Sequence, residues 1–522
     1  MELLSVREAS KFATNYLKKN VTESNISYLI NYGRIKKIGE NSNVFVSKAD
    51  LIEYYKSKQG DRINDWKEKL GKDLNWALSF EQYKEAETTK HVHRLHPYKG
   101  KFIPQLVEYF LDDHTDDFKK ETYFKKGDIV LDPFCGSGTA LVQANELGIH
   151  AIGIDISAFN SLISNAKIKK YNLTDIQTNI IKINNALNKY LANSNVSEFE
   201  DLLILKLNEY NNIHFPSSEY RYDVNEGKID EEKYSSEKFK VFKPIYEKLV
   251  KEYNIKLKQD KHESFLDKWY LDPIRKEFEL IFNEMRKVKN TDTKRILTII
   301  LSRTIRSCRA TTHSDLATLK KPISSVYYCS KHNKICKPLF SIRKMWNRYT
   351  RDTIKRLSIF DNLRTNTWQI CLTGDSRKVD INSEVGKRNS ELGSLIKRKK
   401  IQGIFSSPPY VGLIDYHEQH AYDLFGFERR DELEIGPLSN GQGKEARDKY
   451  VDGITAVLMN CKKYLAKDFN IFLVANDKNN LYPIIAEKSG MRIVNQYKRP
   501  VLNRTEKDKG AYSEIIFHLK NR

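Results

Sequence analysis

From about residue 120 onward, short apolar runs of strand length alternate with segments of helical pattern. GDIVLDPF at 127–134 is followed by CGSGTALVQANELG, a glycine-rich turn that opens a helix, and then by the apolar run IHAIGIDIS at 149–157. Four further runs come much later in the chain: WQICLTGD, IQGIFSSPP, FNIFLVAND and SEIIFHLK. This alternation predicts an α/β fold with a doubly wound sheet.

The alternation is interrupted between about 171 and 365. This insertion begins polar and rich in asparagine, and it shows strong helical patterns across WYLDPIRKEFELIFNEMRKV and TKRILTIILSRTIRSC. We therefore expect the sheet domain in two parts, at 58–170 and 366–522, with a mostly helical insertion at 171–365. Sheet enzymes often carry specificity in such insertions, so recognition of the substrate is its expected role.

Residues 1–57 form a small unit of their own. Two short helical patterns, LLSVREASKFA and TESNISYLINYGRIKKI, precede an alternating stretch from Arg34 to Val46 that predicts a hairpin around Gly39, Asn41 and Asn43. A helix, a turn, a second helix and a wing resemble the excisionase-like winged-helix family, whose second helix enters the DNA major groove. The alternative is a small helical adaptor that packs on the rest of the protein.

Composition narrows the class of protein. Of 522 residues, 40% are hydrophobic and 30% are charged, and long apolar runs are scarce, so we expect no membrane association. The formal net charge of +21 favours a polyanionic partner, although a solvated lysine-rich surface would give the same total. Six cysteines without a disulfide framework, and an opening MELLSVREASKF without an apolar signal core, indicate a reducing cytoplasm.

The stretch LDPFCGSGTA at 131–140 predicts a ligand site. Gly136 and Gly138 allow close approach of the backbone, and the following helix offers unpaired amide donors, so a nicotinamide cofactor, a flavin or S-adenosylmethionine could bind. Asp155 ends the next strand about twenty residues later, where a carboxylate can accept hydrogen bonds from both hydroxyls of a ribose. The alternative role for Asp155 is to cap the following helix.

Read together, DPFCGSGT, GIDIS, TGDSR and SSPPY resemble the motifs of the DNA amino-methyltransferases, which methylate exocyclic amino groups of cytosine or adenine. The resemblance implies a Rossmann-like methyltransferase sheet that binds S-adenosylmethionine. HRLHPYKGKFIPQLVEYFL at 93–111 is similar to the motif that completes the cofactor pocket. The implied cofactor-binding residues are Lys101, Phe102, Ile103, Pro104, Asp132, Pro133, Phe134, Cys135, Gly136, Gly138, Thr139, Asp155, Ile156, Asp375 and Ser376.

The resemblance places catalysis in Ser407, Pro408, Pro409 and Tyr410. An exocyclic amine is a poor nucleophile because its lone pair is delocalised into the ring, so the enzyme must accept hydrogen bonds from it. The Ser407 hydroxyl and the Pro408 carbonyl are the expected acceptors, held in a rigid turn by the prolines. Tyr410 is expected to stack on the extruded base.

Serine at the first position of SPPY favours the 4-amino group of cytosine within this family, with the 6-amino group of adenine as the alternative. VGLIDYHEQHAYDLFG and the terminal RPVLNRTEKDKGAYSEIIFHLK also resemble that branch. A carbon-5 cytosine mechanism is excluded, since none of the six cysteines follows a proline. The remaining rivals are an RNA or protein amino-methyltransferase and a DNA-binding regulator with an inert methyltransferase domain.

The resemblance further implies double-stranded DNA as the partner and a cognate restriction endonuclease in the same cell. SRTIRSCRATTHSDLATLKKPISS at 302–325 is the part of the insertion expected nearest DNA, because it combines arginines, lysines and hydroxyls. Just after it, Cys329, His332 and Cys336 are spaced like metal ligands, with Cys308 or His313 as a fourth. Reduced structural cysteines explain the same pattern, and no residue is assigned to a metal.

Overall fold

The computed structural model describes residues 2–17, 20–39, 43–58, 74–98, 100–259, 264–315, 319–410, 434–436, 441, 443–501 and 512–522. The chain divides into two compact units. The first, which we call the helical unit, comprises Met1–Lys69, Asn185–Ile281 and Ser307–Arg343. The second, the sheet unit, comprises Leu70–Asn184, Phe282–Arg306 and Lys344–Arg522. The predicted insertion at 171–365 therefore contributes to both units.

The sheet unit is built on seven strands. In chain order these are β3 Ile129–Asp132, β4 His150–Asp155, β7 Gln369–Thr373, β8 Ile401–Ser406, β9 Leu465–Ala475, β10 Met491–Val501 and β11 Tyr512–Asn521. Their order in space is β10-β11-β9-β8-β3-β4-β7. Neighbours from β9 to β7 are parallel, whereas β11 is antiparallel to both β9 and β10. The sequence prediction of an α/β fold is confirmed.

The direction in which the sheet grows reverses at β3. The chain passes from β3 to β4 and β7 on one side, and then returns to place β8 on the other side, with Val130 opposite Gly403 and Leu131 opposite Ile404. In open α/β sheets such a reversal leaves a crevice at the carboxyl ends of the two central strands, which is where ligands bind. Asp132 ends β3 and Ser406 ends β8, so both lie at this crevice.

Helices surround the sheet. One core cluster joins Ile129, Leu131 and Ile154 of the strands to apolar residues of the last four helices of the unit. The helices within the sheet unit are Glu85–Thr88, Pro104–Leu111, Thr139–Glu146, Ala158–Ile168, Ile381–Arg388, Ser390–Lys399, Lys444–Lys462 and Tyr482–Lys488, with 3-10 turns at Trp76–Ser79 and His91–Arg94. Leu173–Ala192, Asp272–Arg286, Thr291–Ser307 and Arg343–Asp361 contribute residues to both units.

The helical unit opens with a short strand that the sequence did not predict. β1 (Leu3–Ser5) pairs antiparallel with β2 (Phe45–Ser47), and helices Val6–Leu17, Glu23–Asn31 and Lys48–Lys58 complete the segment. Ser5 and Glu8 form a reciprocal cap at the start of the first helix, since the Ser5 amide donates to Glu8 Oε2 at 2.9 Å and the Glu8 amide to Ser5 Oγ at 3.3 Å. Ser5 and Glu8 of the stretch SVREA thus have a local structural role, because together they cap the first helix.

The two predicted N-terminal helices are present. Of the predicted wing, the described residues show one antiparallel β-bridge. Ile38 and Phe45 exchange backbone hydrogen bonds of 2.9 and 2.8 Å, while Asn41 lies outside the described residues. Within the helical unit, Asn225 Nδ2 donates to the Gly33 carbonyl at 2.9 Å. The N-terminal segment therefore packs on part of the insertion within the helical unit.

The rest of the helical unit is mostly helical, in line with the pattern of the insertion. Its remaining helices are Val196–His214, Glu219–Asn225, Glu231–Glu252 and Phe265–Trp269, and a hairpin of β5 (Tyr327–Cys329) and β6 (Lys334–Cys336) follows. All six cysteines are free thiols. Among the described residues, no helix combines the length and apolar character needed to cross a bilayer.

Candidate active site

The glycine turn begins where β3 ends and leads into helix Thr139–Glu146. Gly136 and Gly138 have φ of +50° and +74°, a region that L side chains rarely adopt. A Cβ on Gly138 would lie 2.9 Å from the Ser164 side chain, and one on Gly136 would lie 2.9 Å from the Tyr98 hydroxyl. The turn therefore packs against a neighbouring helix on one side and against Tyr98 on the other, which requires glycine at both positions.

Asp132 lies at the base of this turn. Its Oδ1 accepts hydrogen bonds from Ser406 Oγ at 2.5 Å and from the Phe134 amide at 3.2 Å. Burial raises the pKa of Asp132 to about 7, although these bonds favour the ionised form. Asp132 thus ties the end of β3 to the end of β8, directly before the SPPY stretch.

Asp155 joins the glycine turn to the start of the next helix, whose N-cap residue is Ser157. Its carboxylate accepts from the Gly136 amide at 2.7 Å, and also from the Ser157 amide and Asn160 Nδ2 at the start of helix Ala158–Ile168. Burial raises the pKa of Asp155 to about 6, against these three hydrogen bonds. A carboxylate has about four acceptor positions, so capacity remains for a ligand hydroxyl at the pocket that Asp155 lines.

Asp375 and Ser376 follow β7 at the same edge of the sheet. Although burial alone would raise the pKa of Asp375, the Arg377 guanidinium, 2.9 Å from its carboxylate, holds that pKa below its ordinary value. Ser376 Oγ donates to the Pro133 carbonyl at 2.6 Å, and the Gly374 amide donates to the Asp155 carbonyl at 2.9 Å. These bonds fasten the turn after β7 to both β3 and β4.

The upstream motif at 93–111 reaches the same pocket. Lys101 Nζ donates to the His93 carbonyl at 2.8 Å, and burial lowers the pKa of Lys101 to about 8, helped by Arg94 and Arg356. The Phe102 ring packs edge-on against Phe405, the second-last residue of β8, with centroids 5.3 Å apart. Ile103 caps helix Pro104–Leu111, whose first residue is the predicted proline.

The SPPY stretch follows β8 and turns toward the glycine loop. Ser407 and Pro409 line the pocket together with Gly136 and Asp155. The Tyr410 hydroxyl donates to Glu514 Oε1 of β11 at 2.9 Å. Glu514 also forms a salt bridge of 3.1 Å with Arg499 of β10. The SPPY turn is therefore anchored to the last hairpin of the sheet.

One pocket brings most of the sequence-predicted residues together. It is lined by Lys101, Phe102, Pro133, Phe134, Cys135, Gly136, Thr139, Asp155, Ile156, Asp375, Ser376, Ser407 and Pro409. Six predicted residues are not part of its lining: Ile103, Pro104, Asp132, Gly138, Pro408 and Tyr410. Of these, Asp132 and Gly138 hold the turn in place, and Ile103 and Pro104 begin the helix after Phe102.

Sequence reasoning missed nine residues of the lining: Tyr98, Gly100, Ser137, Ser157, Asn160, Gly374, Glu434, Ile435 and Gly436. Most of them are immediate neighbours of a predicted motif, which is a signal that could have found them. Glu434–Gly436 carry no such signal, because they are not immediate neighbours of any motif from which site residues were predicted. Within the described lining, Asp155, Asp375 and Glu434 are acidic and Lys101 is basic; because Arg377 pairs with Asp375, a small excess of negative charge is left, which suits a positively charged ligand such as a sulfonium.

The sheet order, the glycine turn and the acidic pocket together fit a methyltransferase. A family model described as DNA methylase, N6_N4_Mtase, matches residues 10–165. The Type II methyltransferase M.MjaII of Methanocaldococcus jannaschii is 45% identical over 528 residues, covering 99% of this chain and 97% of that protein. The chain therefore belongs to the family of DNA amino-methyltransferases, which use S-adenosylmethionine as the methyl donor.

Two further relatives match only part of the chain. The Type II methyltransferase M.MvaI of Kocuria varians is 34% identical over 116 residues, which are 22% of this chain and 23% of that protein. A tRNA (guanine(10)-N2)-dimethyltransferase of Methanocaldococcus jannaschii is 43% identical over 70 residues, which are 13% of this chain and 18% of that protein. These two matches therefore concern only a part of the chain, whereas the match to M.MjaII extends over nearly all of it.

Replacing Gly136 by alanine should weaken cofactor binding selectively. The new Cβ would meet the Tyr98 hydroxyl at the pocket wall, so we expect the dissociation constant for S-adenosylmethionine to rise by about tenfold or more, measured by calorimetry. Gly127→Ala is the matched control, because Gly127 also has a positive φ, +80°, but nothing lies within 4 Å of its added Cβ. Equal dissociation constants in the two variants would contradict this account of the turn.

Stability should depend on pH through Asp132. Its folded-state pKa of about 7 lies above the ordinary value of an aspartate, so the folded protein binds more protons than the unfolded chain between the two values. The free energy of unfolding should therefore fall as pH rises from about 5 to about 7, as followed by urea denaturation without cofactor. In Asp132→Asn, whose amide oxygen can still accept from Ser406, this fall should be shallower. Parallel curves for the two proteins would contradict the assignment.

Proposed function

We propose that this protein transfers a methyl group from S-adenosylmethionine to the 4-amino group of cytosine in duplex DNA. The observation that carries the proposal is that Ser407 and Pro409 share one pocket with Gly136 and Asp155. The group that would activate the amine and the groups that would hold the methyl donor therefore face a common space. The net charge of +21 supports a polyanionic substrate outside that pocket.

The proposed chemistry depends on hydrogen-bond acceptors rather than on a covalent nucleophile. The cofactor supplies an electrophilic methyl group on a sulfonium, which is already a good leaving group. The Ser407 hydroxyl and the Pro408 carbonyl accept hydrogen bonds from the amine, which favours a lone pair on nitrogen over one delocalised in the ring. As the nitrogen–methyl bond forms and the methyl–sulfur bond breaks, which would leave the cofactor as a neutral thioether, the nitrogen loses a proton to solvent. Positioning supplies most of the remaining rate.

We propose the cofactor contacts that the resemblance to the family implies. Asp155 accepts from the ribose hydroxyls, Asp375 lies toward the adenine, and the turn at Gly136 lets the backbone approach the amino acid portion. Three carboxylates in the described lining support the binding of a cationic sulfonium. Tyr410 stacks on the flipped base while Glu514 holds its hydroxyl, which fixes the direction of the side chain.

The choice of cytosine over adenine rests on Ser407, because cytosine-directed members of the family resemble this chain at that position. Adenine N6 methylation remains the alternative product of the same acceptor geometry. We further propose that the seven strands form a Rossmann-like methyltransferase sheet, that residues 1–57 act as a winged helix on DNA, and that the insertion reads the target sequence. A restriction endonuclease of the same specificity is the proposed partner in the cell.

The identity of the product tests the proposal directly. Duplex DNA incubated with the protein and methyl-labelled cofactor should yield labelled 4-methylcytosine after digestion to nucleosides. If the label were found only in 6-methyladenine, the target base would be adenine and not cytosine. Label in tRNA but not in duplex DNA would favour an RNA methyltransferase. Binding of DNA without binding of cofactor would favour the inert regulator.

Removing the Ser407 hydroxyl should slow chemistry more than it weakens binding. Ser407→Ala loses one of two acceptors that act as the nitrogen attacks, so we expect kcat to fall on the order of 100-fold, while the KM for DNA stays within about threefold. Ser383→Ala, which removes the hydroxyl of an exposed serine on helix Ile381–Arg388, is the control and should retain full activity. A lower affinity for DNA with kcat unchanged would assign Ser407 to substrate binding instead.

A further inference from the structure

Four sulfur and imidazole side chains converge in the helical unit, in a part of the chain that the methyltransferase chemistry does not use. Cys329 ends β5, Cys336 ends β6, His332 lies in the turn between them, and His313 comes from the segment after helix Thr291–Ser307. One donor atom from each residue lies within 4.8 Å of the donor atoms of the other three. Cys308, the other candidate from the sequence, is not part of this group.

Two of the separations between donors are close to the edge length of a metal tetrahedron. Cys329 Sγ lies 3.7 Å from His313 Nδ1, and Cys336 Sγ lies 3.5 Å from His332 Nδ1. Zinc holds sulfur at about 2.3 Å and imidazole nitrogen at about 2.0–2.1 Å, so a tetrahedral site has sulfur–nitrogen edges of roughly 3.5 Å. A weak hydrogen bond alone can explain one contact between a thiol and an imidazole. It does not explain why two such contacts lie within 4.8 Å of each other.

The hairpin explains why the two cysteines face the same way. Tyr327 is opposite Cys336 and Cys329 is opposite Lys334, so Cys329 and Cys336 lie two positions apart on one face of the ribbon. The His332 amide donates to the Cys329 carbonyl at 3.0 Å, which folds the turn back toward the same face. The spacing Cys-x2-His-x3-Cys thus brings three ligands together within eight residues, and His313 supplies the fourth.

We propose that His313, Cys329, His332 and Cys336 bind one zinc ion. Two cysteines and two histidines form a complete tetrahedral ligand set with no position left for water, so the site is structural rather than catalytic. Binding converts both thiols to thiolates and releases their protons to solvent. The Tyr327 hydroxyl lies 2.9 Å from His313 Nδ1 and accepts from the His313 amide at 3.1 Å; coordination through Nδ1 would replace the first contact and keep the second, which holds the backbone of this ligand beside the hairpin.

The surroundings of the hairpin give a reason for such a site. Its own buried cluster consists of Tyr327, Cys329 and Cys336, with Ile323 packed against them, which is a very small apolar core. Two-stranded hairpins are marginally stable in water unless something else holds them. Asn211 fixes one strand by exchanging two hydrogen bonds of 2.9 Å with the Ile335 backbone, and zinc would fix the other side through both strands.

A second group of potential ligands in the described residues shows the contrast. His91, His93 and Glu146 of the sheet unit also lie close together. However, Glu146 already pairs with Lys90 Nζ at 2.7 Å and with His91 Nε2 at 2.8 Å. The Lys90 ammonium thus already supplies the positive charge beside Glu146 that a metal ion would supply, and we assign no metal to that group.

The metal content of the full-length protein tests the proposal. Protein purified without chelators from zinc-supplied cells should contain about one zinc per chain by plasma mass spectrometry. Cys329→Ser and Cys336→Ser should each lose it, whereas Cys308→Ala, a buried cysteine outside the group, should keep it. Loss of zinc in Cys308→Ala with retention in Cys329→Ser would overturn the ligand assignment.

A second measurement does not depend on how the variants fold. Wild-type protein stripped of metal and titrated with Co²⁺ should develop the visible bands of tetrahedral cobalt and a thiolate-to-cobalt charge-transfer band, and both should disappear when Zn²⁺ is added. A wild-type protein that holds no zinc and gives no such bands would overturn the proposal. Neither readout uses methyl transfer, so the result stands apart from the product of the enzyme.

Discussion

Two buried carboxylates hold together the ends of three adjacent parallel strands, and the site depends on them. Asp132 at the end of β3 accepts from Ser406 at the end of β8, and Asp155 at the end of β4 accepts from the Gly136 amide. An ionised carboxylate removed from water is costly unless it is hydrogen-bonded, so the partners must stay in place. The glycine turn and the SPPY turn are consequently fixed relative to each other by the groups that are most expensive to bury.

The electrostatics of the pocket and of the chain as a whole have opposite signs. The chain carries a net charge of +21, yet the described pocket lining has three carboxylates and one lysine, whose pKa burial lowers to about 8. A basic surface attracts a phosphate backbone, whereas an acidic pocket attracts a cationic methyl donor. Because the positive and negative charges lie in different places, one protein can attract an anionic and a cationic ligand, and the two ligands do not compete for one binding site.

The sequence predicted what local patterns encode and missed what distant contacts decide. The apolar runs predicted six of the seven strands, all but β10, and the glycine spacing located the turn at Gly136, because both depend on neighbouring residues. β1 was missed, since Leu3–Ser5 is a strand only through its pairing with Phe45–Ser47. Glu434 at the pocket and the division of the insertion between two units were also missed, because neither has a periodic signature in the chain.

The position of β8 at the centre of the sheet has a consequence for how the chain is made. β3 and β4 are complete at Asp155, but β8, which pairs with the other edge of β3, begins only at Ile401. At roughly 5–20 residues per second, a ribosome needs on the order of tens of seconds to deliver it. Throughout that delay the nascent β3 exposes an apolar edge at Val130 and Leu131, which is open to pairing with other chains. The insertion therefore lengthens the interval during which this edge of β3 has no partner strand in its own chain.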